Sequence, residues 1–261
     1  MTSLLVDSHC HLDRLDLAPF EGQLDGALEN ARAHGVGHML CVCIDLEHFH
    51  DVLEPAQQHT NIFASVGVHP NEHEGEEPNV ARLVSLANDP NVIAIGETGL
   101  DYFRSEGDLE WQRDRFRTHI AAAKQSGKPL IIHMREATSD TLRIMHEESA
   151  GDIGGVMHCF AEDWEAAKAA MDMNFYISFS GIVTFNSAKT LKEVAKQVPL
   201  DKMLVETDSP YLAPTPYRGK SNQPAYVKYV AEHIADLRDT HLDAISEATT
   251  ENFFRLFKAA N

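Results

Sequence analysis

Eight short apolar runs, each followed by a longer amphipathic stretch, constrain this chain more than any other feature. The runs are LLVD (4–7), HMLCVCI (38–44), IFASV (62–66), VIAI (92–95), PLIIH (129–133), GGVMH (154–158), FYIS (175–178) and MLVE (203–206). Continuous apolar runs of this kind suit strands buried on both faces of a parallel sheet. The segments near 22–34, 46–59, 78–88, 109–127, 138–148, 163–172, 187–197 and 223–238 carry a helical period. Eight such alternations predict an α/β fold closed into a (β/α)8 TIM barrel rather than an open doubly wound sheet. The chain has 261 residues, close to the roughly 250 typical of that barrel. No Gly/Ser- or Pro-rich linker divides it, so residues 1–261 are expected to form a single domain. TTENFFRLF (249–257) reads as a capped terminal helix, Thr ahead of Glu, with apolar residues to pack back on the barrel.

Composition narrows the partners. Hydrophobic residues make up 43% and charged residues 24% of the chain, ordinary for a soluble globular protein. No apolar run approaches the ~18 residues of a membrane span. The N-terminus lacks a basic segment followed by an apolar one, so a cytoplasmic, unexported protein is expected. Cys10, Cys41, Cys43 and Cys159 show no C-x-x-C spacing, which fits a reducing compartment. The net charge of −18 excludes a protein that coats nucleic acid through a broad basic surface. An anionic substrate would have to be held locally, by metals or a few arginines. Nothing in the sequence points to an obligate protein partner.

In such barrels chemistry is built at the C-terminal ends of the strands. His9 and His11 follow the first, His69 in GVHP the third and Glu97 in IGETGLDY the fourth. His133 ends the fifth, His158 the sixth, and ETDSPYL places Glu206 and Asp208 after the eighth. With 15 His in the chain, about one H-x-H pair is expected by chance, and two occur. His9 and His11 follow a strand, where residues i and i+2 point the same way and can share an ion. His48 and His50 fall in a helical stretch, where i and i+2 diverge. Four of these histidines (His9, His11, His133 and His158) with two of the carboxylates (Glu97 and Asp208) suit borderline divalent ions such as Zn²⁺ or Mn²⁺. Six ligands exceed one catalytic Zn²⁺, which keeps an open position, and suit a pair of ions bridged by a carboxylate. Glu97, central in strand order, is the natural bridge.

DSHCHLD, GVHP, IGETGLDYF, PLIIHMREA, GGVMHCF, YISFSGIVTF and LVETDSPYLAP together resemble the TatD family of metal-dependent deoxyribonucleases, in particular its YcfH-like branch. The resemblance runs from about residue 4 to 257. It implies an amidohydrolase-like TIM barrel carrying two divalent ions (Zn²⁺, Mn²⁺ or Mg²⁺). It further implies His9, His11, Glu97 and Asp208 around one ion and Glu97, His133 and His158 around the other. Asp208 would take the proton of the attacking water, and His69 would face the scissile phosphate. Glu206 either orients a ligand or simply ends a strand. The reaction implied is phosphodiester hydrolysis of DNA, 3′→5′, on single strands or frayed ends. Arg135, Arg218 and Lys220 are candidates to hold flanking phosphates, and Tyr102, Phe103 and Tyr211 to stack unpaired bases. The four glutamates of NEHEGEEPN (71–79) oppose a long polyanion, so that loop turns outward or the substrate is short.

Two other readings compete. One is an amidohydrolase acting on a small phosphodiester, amide or lactone; such sites often bridge their metals with a carboxylated lysine where this chain has Glu97. The other is a catalytically silent barrel that binds a metal or a partner.

Overall fold

The computed structural model describes residues 4–260. Eight strands lie in one parallel sheet in sequence order: β1 (Leu5–Cys10), β2 (Val36–Cys41), β3 (Ile62–Val66), β4 (Val92–Asp101), β5 (Leu130–Arg135), β6 (Gly155–Met157), β7 (Phe175–Phe179) and β8 (Met203–Val205). The expected TIM barrel is thus present. It closes at its mouth, where Cys10 pairs with Ser209 just beyond β8. There the Asp208 N–H donates to the His9 carbonyl at 2.9 Å and the His11 N–H to the Ser209 carbonyl at 2.8 Å. Closure itself therefore sets Asp208 against the H-x-H pair.

Helices α1 (Leu24–Ala33), α2 (Phe49–Gln58), α3 (Val80–Ala87), α4 (Glu110–Ser126), α5 (Thr138–Glu147), α6 (Trp164–Asp172), α7 (Lys189–Gln197) and α8 (Val227–Leu237) ring the sheet, followed by α9 (Leu242–Leu256). Strand residues such as Met39, Ile62, Val92 and Ile95 join helix residues such as Ala31, Val52, Leu83 and Phe116 in the outer core. A second cluster takes one side chain or more from every strand: Val6, Leu40, Phe63, Ile93, Ile131, Val156, Tyr176 and Leu204. Only the lumen lets all eight strands meet, so this is the barrel's inner layer. Phe253 and Phe257, both fully buried, join it from α9 and the residue after.

Two boundaries differ from expectation. The terminal helix begins at Leu242 rather than near 249, and the threonines lie inside it. Thr249 Oγ1 donates back to the Ile245 carbonyl at 2.8 Å, and Thr250 Oγ1 donates to the Leu4 carbonyl at 2.8 Å, anchoring the helix to the start of the barrel. The fourth strand runs on to Asp101 instead of stopping at Ile95, so Glu97 lies within it. Gly96 and Gly99 hide that extension, because they break the apolar run. Gly99 has no alternative: at φ +133° an added Cβ would sit 2.0 Å from the His133 carbonyl oxygen.

Candidate metal centre

Glu97 is buried at the centre of the mouth and splits its carboxylate between two groups of side chains. Oε2 lies 3.3 Å from His9 Nε2. Oε1 lies 2.9 Å from His133 Nδ1, 3.2 Å from His158 Nε2 and 3.4 Å from His69 Nε2. On the first side His9 Nε2 and His11 Nε2 stand 3.3 Å apart, with Asp208 Oδ1 at 3.8 and 3.4 Å from them. Donors about 2.0–2.1 Å from one tetrahedral Zn²⁺ sit roughly 3.3 Å apart, so these residues fit a divalent ion. His9, His11 and Asp208 form one group able to hold an ion; His69, Glu97 and His133 form another, and His9, His158 and Glu206 an overlapping third. His9 Nδ1 and Glu206 Oε2 are buried without a hydrogen-bond partner, which leaves donor capacity unspent beside these groups. Asp208 itself adopts φ 58°, a left-handed conformation that Asp tolerates better than most residues.

A second layer of acceptors fixes the rings. His158 Nδ1 donates to Glu206 Oε1 at 2.9 Å, and the same oxygen takes the Cys159 N–H at 2.7 Å. His133 Nε2 lies 3.1 Å from Asp101 Oδ2. His11 Nδ1 donates to the Val42 carbonyl at 2.9 Å. Each leaves the opposite nitrogen for the centre, the arrangement that orients histidine ligands in metal sites. His69 differs. Its Nδ1 accepts the Asn71 N–H at 3.0 Å, so the neutral ring carries its proton on Nε2, the nitrogen that faces Glu97. Proximity groups it with Glu97 and His133, while its tautomer turns an N–H toward them.

Electrostatics follow from this crowding. Burial opposes the charge on Glu97, but His158, His69 and His133 outweigh it and hold the carboxyl well below the usual range. Burial likewise opposes ionisation of Asp208, and the hydrogen bond from His11 brings its pKa down. Burial lowers the His158 pKa, yet Glu206 and Glu97 reverse that and raise it well above the ordinary value. Burial, helped by His158, pushes His9 down. The thiols are pushed up by burial, Cys43 to about 12, so they are not nucleophiles.

The remaining candidates separate. Arg135 lies over Phe103, its guanidinium carbon 3.9 Å from the ring centroid. The Tyr211 ring stands 6.0 Å from His11 and is exposed. Tyr102 is committed elsewhere: its hydroxyl donates to Asp140 at 2.7 Å and accepts from Arg113 at 2.9 Å. Arg218 rests on Phe185 at 4.3 Å and Lys220 on Tyr217 at 5.9 Å, on the β7 and β8 loops rather than among the histidines. The acidic loop is drawn outward onto the helices. Arg115 of α4 donates to the carbonyls of His69 (3.0 Å) and Glu72 (2.7 Å) and pairs with Glu77, while Arg82 of α3 pairs with Glu76 at 3.3 Å. His48 and His50, the other H-x-H pair, are exposed.

Sequence reasoning missed Asp101 and its partners. Asp101 accepts from Asn71 Nδ2 at 2.8 Å and from the N–H groups of Phe103 and Arg104 at 3.0 and 2.9 Å. Gln112 Nε2 donates to Ser105 Oγ at 2.8 Å, and Ser105 donates to Asn71 Oδ1 at 3.2 Å, closing the network. A signal existed: Glu97, Gly99 and Asp101 share one side of a strand once the strand is carried through the glycines. His119, on α4, supports the site from below. Its Nε2 accepts the Val68 N–H at 3.0 Å and its Nδ1 donates to the Arg115 carbonyl at 2.8 Å, which positions the residue before His69.

Comparison with known proteins places this geometry. The family model described as TatD related DNase matches residues 6–258. The chain is 46% identical over 253 residues to the metal-dependent hydrolase YcfH of Escherichia coli K12, covering 97% of this chain and 95% of that protein. It is 29% identical over 248 residues to the 3′-5′ ssDNA/RNA exonuclease TatD of Edwardsiella piscicida, covering 92% and 95%. The crystal structure of YjjV, a TatD homologue from Escherichia coli K12, superposes with a TM-score of 0.89 at 26% identity, covering 99% of each chain. No helix among the described residues is long and apolar enough to cross a membrane. The chain therefore belongs to the TatD-related DNase family of metal-dependent hydrolases.

Proposed function

We propose that this protein is a nuclease that hydrolyses DNA phosphodiester bonds, taking nucleotides from the 3′ ends of single strands or frayed duplexes in the cytoplasm. The carrying observation is the split of Glu97, one oxygen toward His9 and the other toward His133 and His158. That arrangement suits two divalent ions, Zn²⁺, Mn²⁺ or Mg²⁺, with His9, His11, Asp208 and Glu97 holding one and Glu97, His133 and His158 the other. Ions held there would supply a water acidic enough to attack at neutral pH and a positive charge beside the phosphate. Asp208, ionised and beside the H-x-H pair, accepts the proton of the attacking water. His69 donates its Nε2–H to a phosphate oxygen, with Asn71 holding its tautomer. Glu206 and Asp101 keep the His158 and His133 rings turned to the centre. The exonuclease named among the relatives supports the substrate and polarity.

The net charge of −18 favours a second reading, a small phosphodiester approaching without a long polyanionic tail. A denaturing gel decides between them. Metal-stripped protein is given 5′-labelled single-stranded DNA with Mg²⁺, Mn²⁺ or Zn²⁺, beside Glu97→Ala. A metal-dependent ladder shortening from the 3′ end, absent in the variant, is the expected result. Intact DNA under every metal, with a small diester hydrolysed, establishes the second reading instead.

A further inference from the structure

Among the described residues three large hydrophobic side chains are exposed, Leu4, Phe103 and Tyr211, and the last two stand at the mouth. Phe103 is 56% exposed and has Arg135 laid on one face. Its place is fixed by the metal centre. The Phe103 N–H donates to Asp101 Oδ1 at 3.0 Å, and the other oxygen of Asp101 lies 3.1 Å from His133 Nε2. Arg135 follows His133 by two residues in β5, on the same side of the strand. It is in register with Asp101, and its carbonyl takes the Tyr102 N–H at 3.0 Å.

Arg135, like Arg218 on Phe185, rests on a ring although acids are abundant, and of the two it is the one beside the histidine cluster. The chain holds 40 Asp and Glu against 22 Lys and Arg. Arg113, Arg115, Arg117 and Arg143 all lie on carboxylates. Arg135 forms no ion pair among the described residues, so its N–H edge is left for another anion. A phenylalanine kept merely for packing would be covered. Here the ring carries a cation and is still more than half exposed, which is the form of a stacking platform for a π-system next to a phosphate.

We propose that Phe103 and Arg135 form a composite seat for one nucleotide adjoining the scissile phosphate. Its base stacks on the exposed ring of Phe103, and its phosphate meets the Arg135 guanidinium. The seat rests on the nuclease reading above and sharpens it: the base must be unpaired, its identity matters little, and Phe103 takes the part that Tyr102, tied to Asp140 and Arg113, cannot. Because Asp101 holds both Phe103 and His133, the seat is indexed to the half of the centre built on His133 and His158.

The test couples a protein change to a substrate change. kcat and KM are measured in Mn²⁺ for wild type, Phe103→Ala, Phe103→Trp and Arg135→Gln. The substrates are single-stranded oligonucleotides that are intact or carry one abasic residue on either side of the terminal scissile bond. With wild type, one of the two abasic positions should raise KM by roughly tenfold, the worth of one base stack, with little change in kcat. Phe103→Ala should show the same rise on intact DNA and no further rise at that abasic position, and Phe103→Trp should restore the wild-type pattern. Arg135→Gln should raise KM on intact and abasic strands alike. Equal abasic penalties in wild type and Phe103→Ala overturn the seat while leaving the nuclease reading intact. Wild type that leaves every oligonucleotide whole but hydrolyses methyl p-nitrophenyl phosphate overturns the nuclease reading, and the seat with it. Phe103 lies on the surface, so thermal melting checks folding without being expected to shift.

Discussion

The bottom and the mouth of the barrel are lined by the same eight strands and treat them in opposite ways. At the bottom, Val6, Leu40, Phe63, Ile93, Ile131, Val156, Tyr176 and Leu204 meet and are sealed by Phe253 and Phe257. At the mouth, His9, His11, Glu97, His133 and His158 crowd together, with Glu97 and His9 almost wholly buried. The first arrangement removes apolar surface from water and stabilises the fold. The second buries charge and lone pairs and costs stability, which is tolerable because the other end holds the structure. Chemistry and folding are thus carried by different ends of the same strands.

Substitutions at the two ends should separate cleanly. Glu97→Ala is expected to lower activity at least about 100-fold, more than loss of an outer partner of a metal ligand does. Without metal it should still fold, with a lowered melting temperature, because the buried His158 loses one of the two carboxylates that face it. Phe253→Ala should do the reverse, costing roughly 3–5 kcal/mol and, for a chain of this size, on the order of 10 °C in Tm. The activity of its folded fraction should match wild type. Unfolding of Glu97→Ala, or lost specific activity in Phe253→Ala, would break the division.

His119 gives a pH test of the scaffold beneath the mouth. Burial lowers its pKa to about 4, against an ordinary 6.5 in the unfolded chain. The unfolded state therefore binds the extra proton first. The stability held above pH 6.5 is lost as pH falls toward 4, by roughly 3 kcal/mol, and is flat below that. Chemical denaturation of His119→Gln between pH 7 and 4 should show that slope removed. The smallest effect is expected at Glu206→Gln, where the His158 ring keeps an acceptor but loses a charge. Metal affinity by chelator competition should fall about tenfold with the melting curve of the metal-free protein unchanged. A wild-type affinity would mean that Glu206 only ends a strand.

The sequence makes the barrel legible because buried parallel strands are written as continuous apolar runs, and eight of them leave few alternatives. The convergence of His9, His11, Glu97, His133, His158 and Asp208 on one mouth was legible for the same reason: the strand ends index them, and H-x-H pairs sort by whether they follow a strand or lie in a helix. What stayed hidden has no period. Asn71, Asp101, Ser105 and Gln112 are single polar residues that converge only after folding, and Gly96 and Gly99 disguise the strand that carries two carboxylates. Tyr102 and Phe103 are neighbours with equal claims in the sequence. Only the fold shows one hydroxyl tied down and the other ring open.

The Arg135–Phe103 stack has an entropic side. A flexible side chain immobilised on binding costs roughly 0.5–1.5 kcal/mol of lost freedom. Arg135 lies across the Phe103 ring in the free protein, and Phe103 is hooked by its backbone to Asp101, so much of that ordering precedes any encounter. A strongly acidic chain needs few cations to hold an anion when those few are already still.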